Sequence, residues 1–182
     1  AMPYDTAIPG YDTHTVNTLR LWSARSLFAF NLKDFNRGDF LSANLNKSQT
    51  ENITKVLYPN DNNYEGKELR LKQQYFLAAA TIADMMDDFK KLDLPIQELP
   101  QKIVMQLNDT HPAIAVPEMM RILMDEEGLN WDEAWKISTS IFAYTNHTLL
   151  AEALEKWPVW LMEKLLPRHM EVIYEINSRH MR

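Results

Sequence analysis

Cysteine is absent from the 182-residue sequence, which excludes disulfides, thiolate nucleophiles and cysteine-ligated zinc or iron–sulfur sites. Glycine is scarce and scattered: Gly10, Gly38, Gly66 and Gly128 each stand alone. Dinucleotide and P-loop sites need several glycines close together, so that the backbone can approach a phosphate. This chain cannot build one. An anionic ligand would be held by side chains, a helix N-terminus or another polypeptide segment. No apolar run approaches the roughly 20 residues of a membrane-spanning helix, which leaves no integral membrane role. Positive charge is not in excess either, with 19 Lys+Arg against 25 Asp+Glu and a net charge of −6. That balance argues against a nucleic-acid binder, which would carry a basic face.

What is present is a globular composition, 46% hydrophobic and 24% charged, of a length that suits one domain or a piece of a larger one. No secretory leader opens the sequence at Ala1-Met2-Pro3-Tyr4-Asp5. Those first residues read as the end of an extended strand, and Tyr174-Glu175-Ile176-Asn177 falls in mid-helix pattern, so the chain reads as a segment of something longer. Asn-x-Ser/Thr triplets start at Asn46, Asn52, Asn108 and Asn146. Without a leader they are read as chance or as polar site residues rather than glycan acceptors.

Periodicity predicts alternating strands and helices. Val16 to Arg25 alternates in the strand manner, and Asp34 to Tyr58 reads as polar helix stopped by Pro59. A long amphipathic helix follows Gly66, with Leu69, Leu71, Phe76, Ala79, Ala80, Ala83 and Met86 at three- and four-residue steps to about Lys90. Residues 91–101 form a proline-marked connector. Ile103 to Leu107 has the length and apolar run of a strand buried on both faces. Pro112 and Pro117 confine a helix start to their neighbourhood; that helix turns Met120, Leu123 and Met124 inward and stops at Gly128. Asn130 and Glu133 form a capping-box pattern, Ser140 to Thr145 reads as a strand, and Leu161, Leu165, Ile173 and Ile176 mark a last helix. Such alternation is α/β.

Three polar clusters follow apolar stretches: Asn60-Asp61-Asn62, Asn108-Asp109-Thr110-His111 and Asn146-His147-Thr148. Ligands of α/β sheets sit beyond the carboxyl ends of strands, and amides, carboxylates, hydroxyls and imidazoles are what a site needs to grip a polyhydroxylated sugar. Two readings stand, since the same residue types also make turns and helix caps. Asp109 and His111 offer one carboxylate–imidazole pair but no third metal ligand at a sensible spacing. Trp131 and Trp135, four apart on a helix, read as core packing, and Asp84, Asp87 and Asp88 as a solvated helix face. His14, His169 and His180 lie in contexts without a functional signal, and no carboxylate pair can be placed face to face as a glycosidase would need.

Longer strings add a resemblance. Ala-Met-Pro-Tyr-Asp-Thr (1–6), Pro-Gly-Tyr (9–11), Val-Asn-Thr-Leu-Arg-Leu-Trp-Ser-Ala (16–24), Val-Leu-Tyr-Pro-Asn-Asp-Asn (56–62), Gly-Lys-Glu-Leu-Arg-Leu-Lys-Gln (66–73), Gln-Leu-Asn-Asp-Thr-His-Pro (106–112), Ala-Tyr-Thr-Asn-His-Thr (143–148) and Leu-Leu-Pro-Arg-His (165–169) resemble the α-glucan phosphorylases of glycogen, starch and maltodextrin, in order and across residues 1–182. The resemblance implies a much longer parent with two α/β domains facing a deep cleft. This chain would be the C-terminal part of the N-terminal domain, a helix-rich fragment of a Rossmann-like (glycosyltransferase-B-type) fold with a few mostly parallel buried strands. It implies reversible phosphorolysis of terminal α-1,4-glucosidic bonds by inorganic phosphate, giving glucose 1-phosphate with retention. Pyridoxal 5′-phosphate would sit on a lysine of the C-terminal domain, outside this segment, and the isolated segment would be inactive. The implied parent is a cytoplasmic homodimer, or a plastid enzyme in a plant.

Carried over residue by residue, His147 matches the histidine that hydrogen-bonds the reacting glucose, with its main-chain carbonyl near the anomeric carbon. Asp61 and Asn62 match the loop that gates the cleft and contacts the sugar, and Asn60, Arg70, Asp109, His111 and Thr148 match residues lining the adjoining pocket. No metal site is implied. Asn63 stands where regulated animal enzymes carry an aromatic of an inhibitor site, Asp87-Asp88 where they carry a basic pair for a nucleotide activator, and Ala151 in place of a gate-loop proline. These departures match an unregulated microbial, protist or plant-like member. A reading of a different class stays beside this one, a non-catalytic carbohydrate-binding or assembly module.

Overall fold

The computed structural model describes residues 1–27, 31–151 and 154–182, which fall into two compact units, Ala1–Phe76 and Leu77–Arg182.

In the first unit, β1 (Met2–Pro9) and β2 (Val16–Ser23) form an antiparallel hairpin with Met2 opposite Ser23 and Pro9 opposite Val16. Asp5 and Arg20 face each other across it, and the guanidinium reaches both carboxylate oxygens at 2.8 Å. Two helices follow, α1 (Leu32–Asn36) and α2 (Phe40–Lys55), started by Asn31 and Asp39 whose side chains accept amides of the first turn. Gly38 links them at φ 84, a left-handed angle that suits glycine. Thr54 on α2 accepts the Ala24 amide at 2.9 Å, tying the end of the hairpin to this helix. The third helix, α3 (Tyr64–Lys90), begins in this unit and runs into the second.

The second unit holds most of the buried apolar side chains. After a 3₁₀ turn at Ile96–Glu98 and α4 (Leu99–Lys102), β3 (Met105–Asn108) pairs in parallel with β4 (Phe142–Thr145), Met105 opposite Phe142 and Asn108 opposite Thr145. Between them lie α5 (Ala115–Arg121), a widened π turn at Ile122–Glu126 and α6 (Trp131–Ile141). The chain closes with α7 (Val159–Leu165) and α8 (Pro167–His180). Met119, Met120, Leu123, Ile141 and Leu161 are fully buried there. The capping box forms as expected, Asn130 accepting the Glu133 amide at 3.0 Å and Glu133 accepting that of Asn130 at 3.3 Å.

The α/β class stands, but the strands are not mostly parallel and buried. One pair is antiparallel and lies exposed along most of its length. In the parallel pair Leu107 alone is buried and Val104, just before β3, is 76% exposed, so among the described residues helices do not cover both faces of this sheet. The last helix is two helices, parted where Pro167 starts a new first turn. Trp131 and Trp135 do not pack in a core. Their rings stack 6.3 Å apart, Arg179 lies over Trp131, and Trp135 stays 36% exposed. No helix among the described residues is long and apolar enough to cross a membrane.

Candidate functional site

The second unit brings two of the expected clusters together. Parallel strands β3 and β4 end side by side, and the ladder continues one residue further, with the Asp109 amide donating to the Thr145 carbonyl at 2.8 Å. The two following loops therefore leave from one edge, the place where α/β folds bind ligands. Asp109 is in the left-handed region at φ 59. Its Oδ1 accepts the His147 amide at 2.6 Å and lies 3.3 Å from His147 Nδ1, across a sequence separation of 38 residues. The His147 amide, foremost, holds the Asp109 carboxyl below its usual range; partial burial opposes this, while the His147 ring and, more weakly, His111 add to it. Thr148 lies in a local knot: Asn146 donates through Nδ2 to the Thr148 carbonyl at 3.0 Å, and the Thr148 hydroxyl accepts the Leu150 amide at 3.2 Å. His147 remains exposed, His111 and Thr148 half-buried. The exposed His147 imidazole, with the His111 imidazole and the Thr148 hydroxyl near the same strand edge, can exchange hydrogen bonds with a sugar.

The first unit gathers the other set. Residues 56–58 are a bend after α2, not a strand, so the cluster at 60–62 does not follow a strand end; Tyr58 takes φ 54 and Pro59 prevents further helix. Asn60 Oδ1 accepts the Asn62 amide at 2.8 Å, an Asx turn. Asn63 then starts α3, its side chain accepting the Gly66 amide at 2.8 Å and its carbonyl the Lys67 amide at 3.2 Å. Arg70, further along α3, lies over the Tyr58 ring with its guanidinium carbon 5.1 Å from the centroid, and its Nε is 3.9 Å from Asp61 Oδ2. Buried Gln73 donates to the Val56 carbonyl at 2.7 Å and pins the bend to the helix. Asn60, Asp61, Asn62 and Arg70 thus share one neighbourhood.

A third polar cluster joins residues that the sequence-based expectations do not bring together. Glu118 and His169, 2% and 4% exposed, meet through Oε2 and Nε2 at 2.5 Å, and Arg121 grips both Glu118 oxygens at 2.9 Å. The one local hint is the i, i+3 spacing of Glu118 and Arg121 on α5. Its Glu118 and His169 side chains are buried. Among the described residues no group of three or more His, Asp or Glu could hold a metal ion.

Pyridoxal phosphate needs a sheltered lysine and a phosphate cradle. No lysine among the described residues is buried, Lys72, Lys90 and Lys91 lie in surface ion pairs with Glu68, Glu127 and Asp88, and no glycine cluster exists. The residues of this chain do not fit that cofactor.

The family model for carbohydrate phosphorylases matches residues 1–182. The brain form of glycogen phosphorylase from Rattus norvegicus is 56% identical across 100% of this chain, which covers 23% of that protein. The liver form from Homo sapiens is likewise 56% identical across 100% of the chain and 22% of its own length. The muscle form from Mus musculus is 57% identical across 98% of the chain and 22% of its length. The chain therefore spans less than a quarter of each of these relatives.

Proposed function

The chain belongs to the carbohydrate phosphorylase family, and on that premise we propose that it is the C-terminal part of the N-terminal domain of an α-1,4-glucan phosphorylase. The parent performs reversible phosphorolysis of terminal α-1,4-glucosidic bonds with inorganic phosphate, releasing glucose 1-phosphate with retention. This chain supplies sugar-gripping groups. The observation that carries the reading is the junction at the paired ends of β3 and β4, where Asp109 and His147 meet 38 residues apart in sequence. A histidine whose backbone is tied to a strand end can offer its ring to a sugar hydroxyl. Its carbonyl dipole, held fixed, favours positive charge developing at an anomeric carbon, and preorganised dipoles of this kind commonly supply much of an enzyme's rate enhancement.

His111 and Thr148 flank that junction, and Asn60, Asp61, Asn62 and Arg70 serve as further sugar-contacting groups in their own unit. The cofactor of the parent is held by residues outside this chain. The same reading makes the parent a cytoplasmic homodimer and the 182-residue chain alone inactive.

The test is phosphate-dependent release of glucose 1-phosphate from maltodextrin by the full-length protein. His147→Ala is expected to lower kcat/KM by roughly 10²- to 10³-fold, with the fold retained by circular dichroism. Hydrolysis that proceeds equally without phosphate overturns the reading in favour of a glycosidase. Saturable binding of oligosaccharide without turnover in the full-length protein overturns it in favour of a binding module.

A further inference from the structure

Asp109 does not face outward like a free sugar ligand. Its own amide extends the β3–β4 ladder to Thr145, and its left-handed backbone, which aspartate tolerates better than most residues, turns the carboxylate toward the loop after β4. There Oδ1 accepts the His147 amide at 2.6 Å, a short bond of the kind expected when the acceptor is charged. The same oxygen stands 3.3 Å from the ring nitrogen of His147. The His147 side chain is 59% exposed, so packing does little to hold this residue in place. Neighbouring bonds do not replace the link: those between Asn146 and Thr148, and between Thr148 and Leu150, stay inside the loop.

We infer that Asp109 is a positioning residue, which fixes the main chain of His147 through its amide and thereby sets where the histidine ring and carbonyl stand against a bound glucosyl group. This rests on the phosphorylase reading above. Oδ1, engaged twice by His147, has little capacity left for a sugar hydroxyl, so its part in the site is to hold the loop. The requirement on residue 109 is specific: a backbone that accepts positive φ, and a side-chain oxygen at the reach of an Asx group. Asparagine meets both. Glycine meets only the first, since it adopts the conformation freely but brings no acceptor.

The comparison is therefore Asp109→Asn against Asp109→Gly in the full-length protein, with two readouts. Hydrogen exchange at single-residue resolution follows the His147 amide without any need for turnover. Asp109→Gly is expected to raise its exchange rate at least about tenfold, and Asp109→Asn to keep most of the protection. Steady-state phosphorolysis supplies the second readout. Misplacing a reacting group by about 1 Å can cost on the order of 10²-fold, so Asp109→Gly should lower kcat by about that factor while KM for maltodextrin moves less than about threefold. Asp109→Asn should stay within about tenfold of the parent. Unchanged exchange in Asp109→Gly overturns the positioning role, and so does equal loss of kcat in both variants. A large rise in KM with kcat preserved also overturns it, because that pattern marks a direct sugar contact. If exchange behaves as expected while the parent makes no glucose 1-phosphate, the positioning stands and the phosphorylase reading is the part that fails.

Discussion

Burying a carboxylate costs several kcal/mol unless its oxygens find strong partners, and Glu118 shows how the balance is struck. Burial alone would push its pKa up; the bonds from His169 and from Arg121 more than offset this and hold it at about 2, against an ordinary value of 4.5. Arg121 is correspondingly raised, chiefly by Glu118. A carboxyl whose pKa is depressed on folding contributes stability that is fully present above about pH 4.5 and is lost as pH falls toward 2. The shift corresponds to about 3 kcal/mol. Glu118→Gln keeps the shape of the side chain and removes the charge. Urea unfolding of the 182-residue chain at pH 7, 4.5 and 3 should show the variant less stable at pH 7, by about 3 kcal/mol, with the gap to the parent narrowing below pH 4.5. A gap that stays constant down to pH 3 would mean that the charge at Glu118 does not matter.

Helix α3 begins under a constraint that helix propensity alone would misjudge. Alanine normally stabilises a helix interior by roughly 1 kcal/mol over glycine. At Gly66 a Cβ would lie 1.8 Å from the Asn60 carbonyl oxygen and 2.9 Å from its carbon, both backbone atoms that cannot rotate away. Gly66→Ala should therefore destabilise the chain by about 1–3 kcal/mol, as overpacked sites do, and displace the Asn60–Asn62 turn. The urea midpoint reports the first effect; chemical shifts of the Asn60–Asn63 amides report the second. A stabilised variant would show that the turn does not press on the helix. Signals confined to neighbouring residues are legible in the sequence: the capping box at Asn130 and Glu133 forms, the stop at Gly128 takes φ 72, and the long helix predicted after Gly66 ends at Lys90 as its periodicity implies. What depends on a distant partner is not legible. The run at 103–107 has the composition of a doubly covered strand, yet its covering is decided by which helices pack over its two faces. The Trp131–Trp135 spacing places both rings on one helix face without saying what meets that face. For the candidate site, the residue types at 108–111 and 146–148 are readable, but the hydrogen bond from the His147 amide to the Asp109 carboxylate requires two strand ends to be adjacent, and no local pattern encodes that.

The two units differ greatly in how much apolar surface they bury. In Ala1–Phe76 the buried apolar side chains among the described residues are Ala24 and Leu71, whereas Leu77–Arg182 holds a larger set that includes Ile82, Leu99, Met119, Met120, Leu123, Ile141, Leu161 and Val172. On the hairpin, Met2, Tyr4, Ile8, Leu19 and Leu21 share one face and all lie exposed. Two strands without a covered face are marginal in water. Local opening follows local burial, so protection from hydrogen exchange should be sharply graded along the 182-residue chain. Amides of β1 and β2 should exchange within minutes, while those of α5, α6 and α8 persist for hours. Leu123 provides the control, being fully buried in the second unit. Leu123→Ala should cost about 2–5 kcal/mol and shorten protection across α5, α6 and α8. The hairpin, with little protection to lose, should exchange as before. Equal and slow exchange in β1, β2 and α6 of the parent chain would refute the grading, because it would require the hairpin to open only with the best-packed part of the molecule.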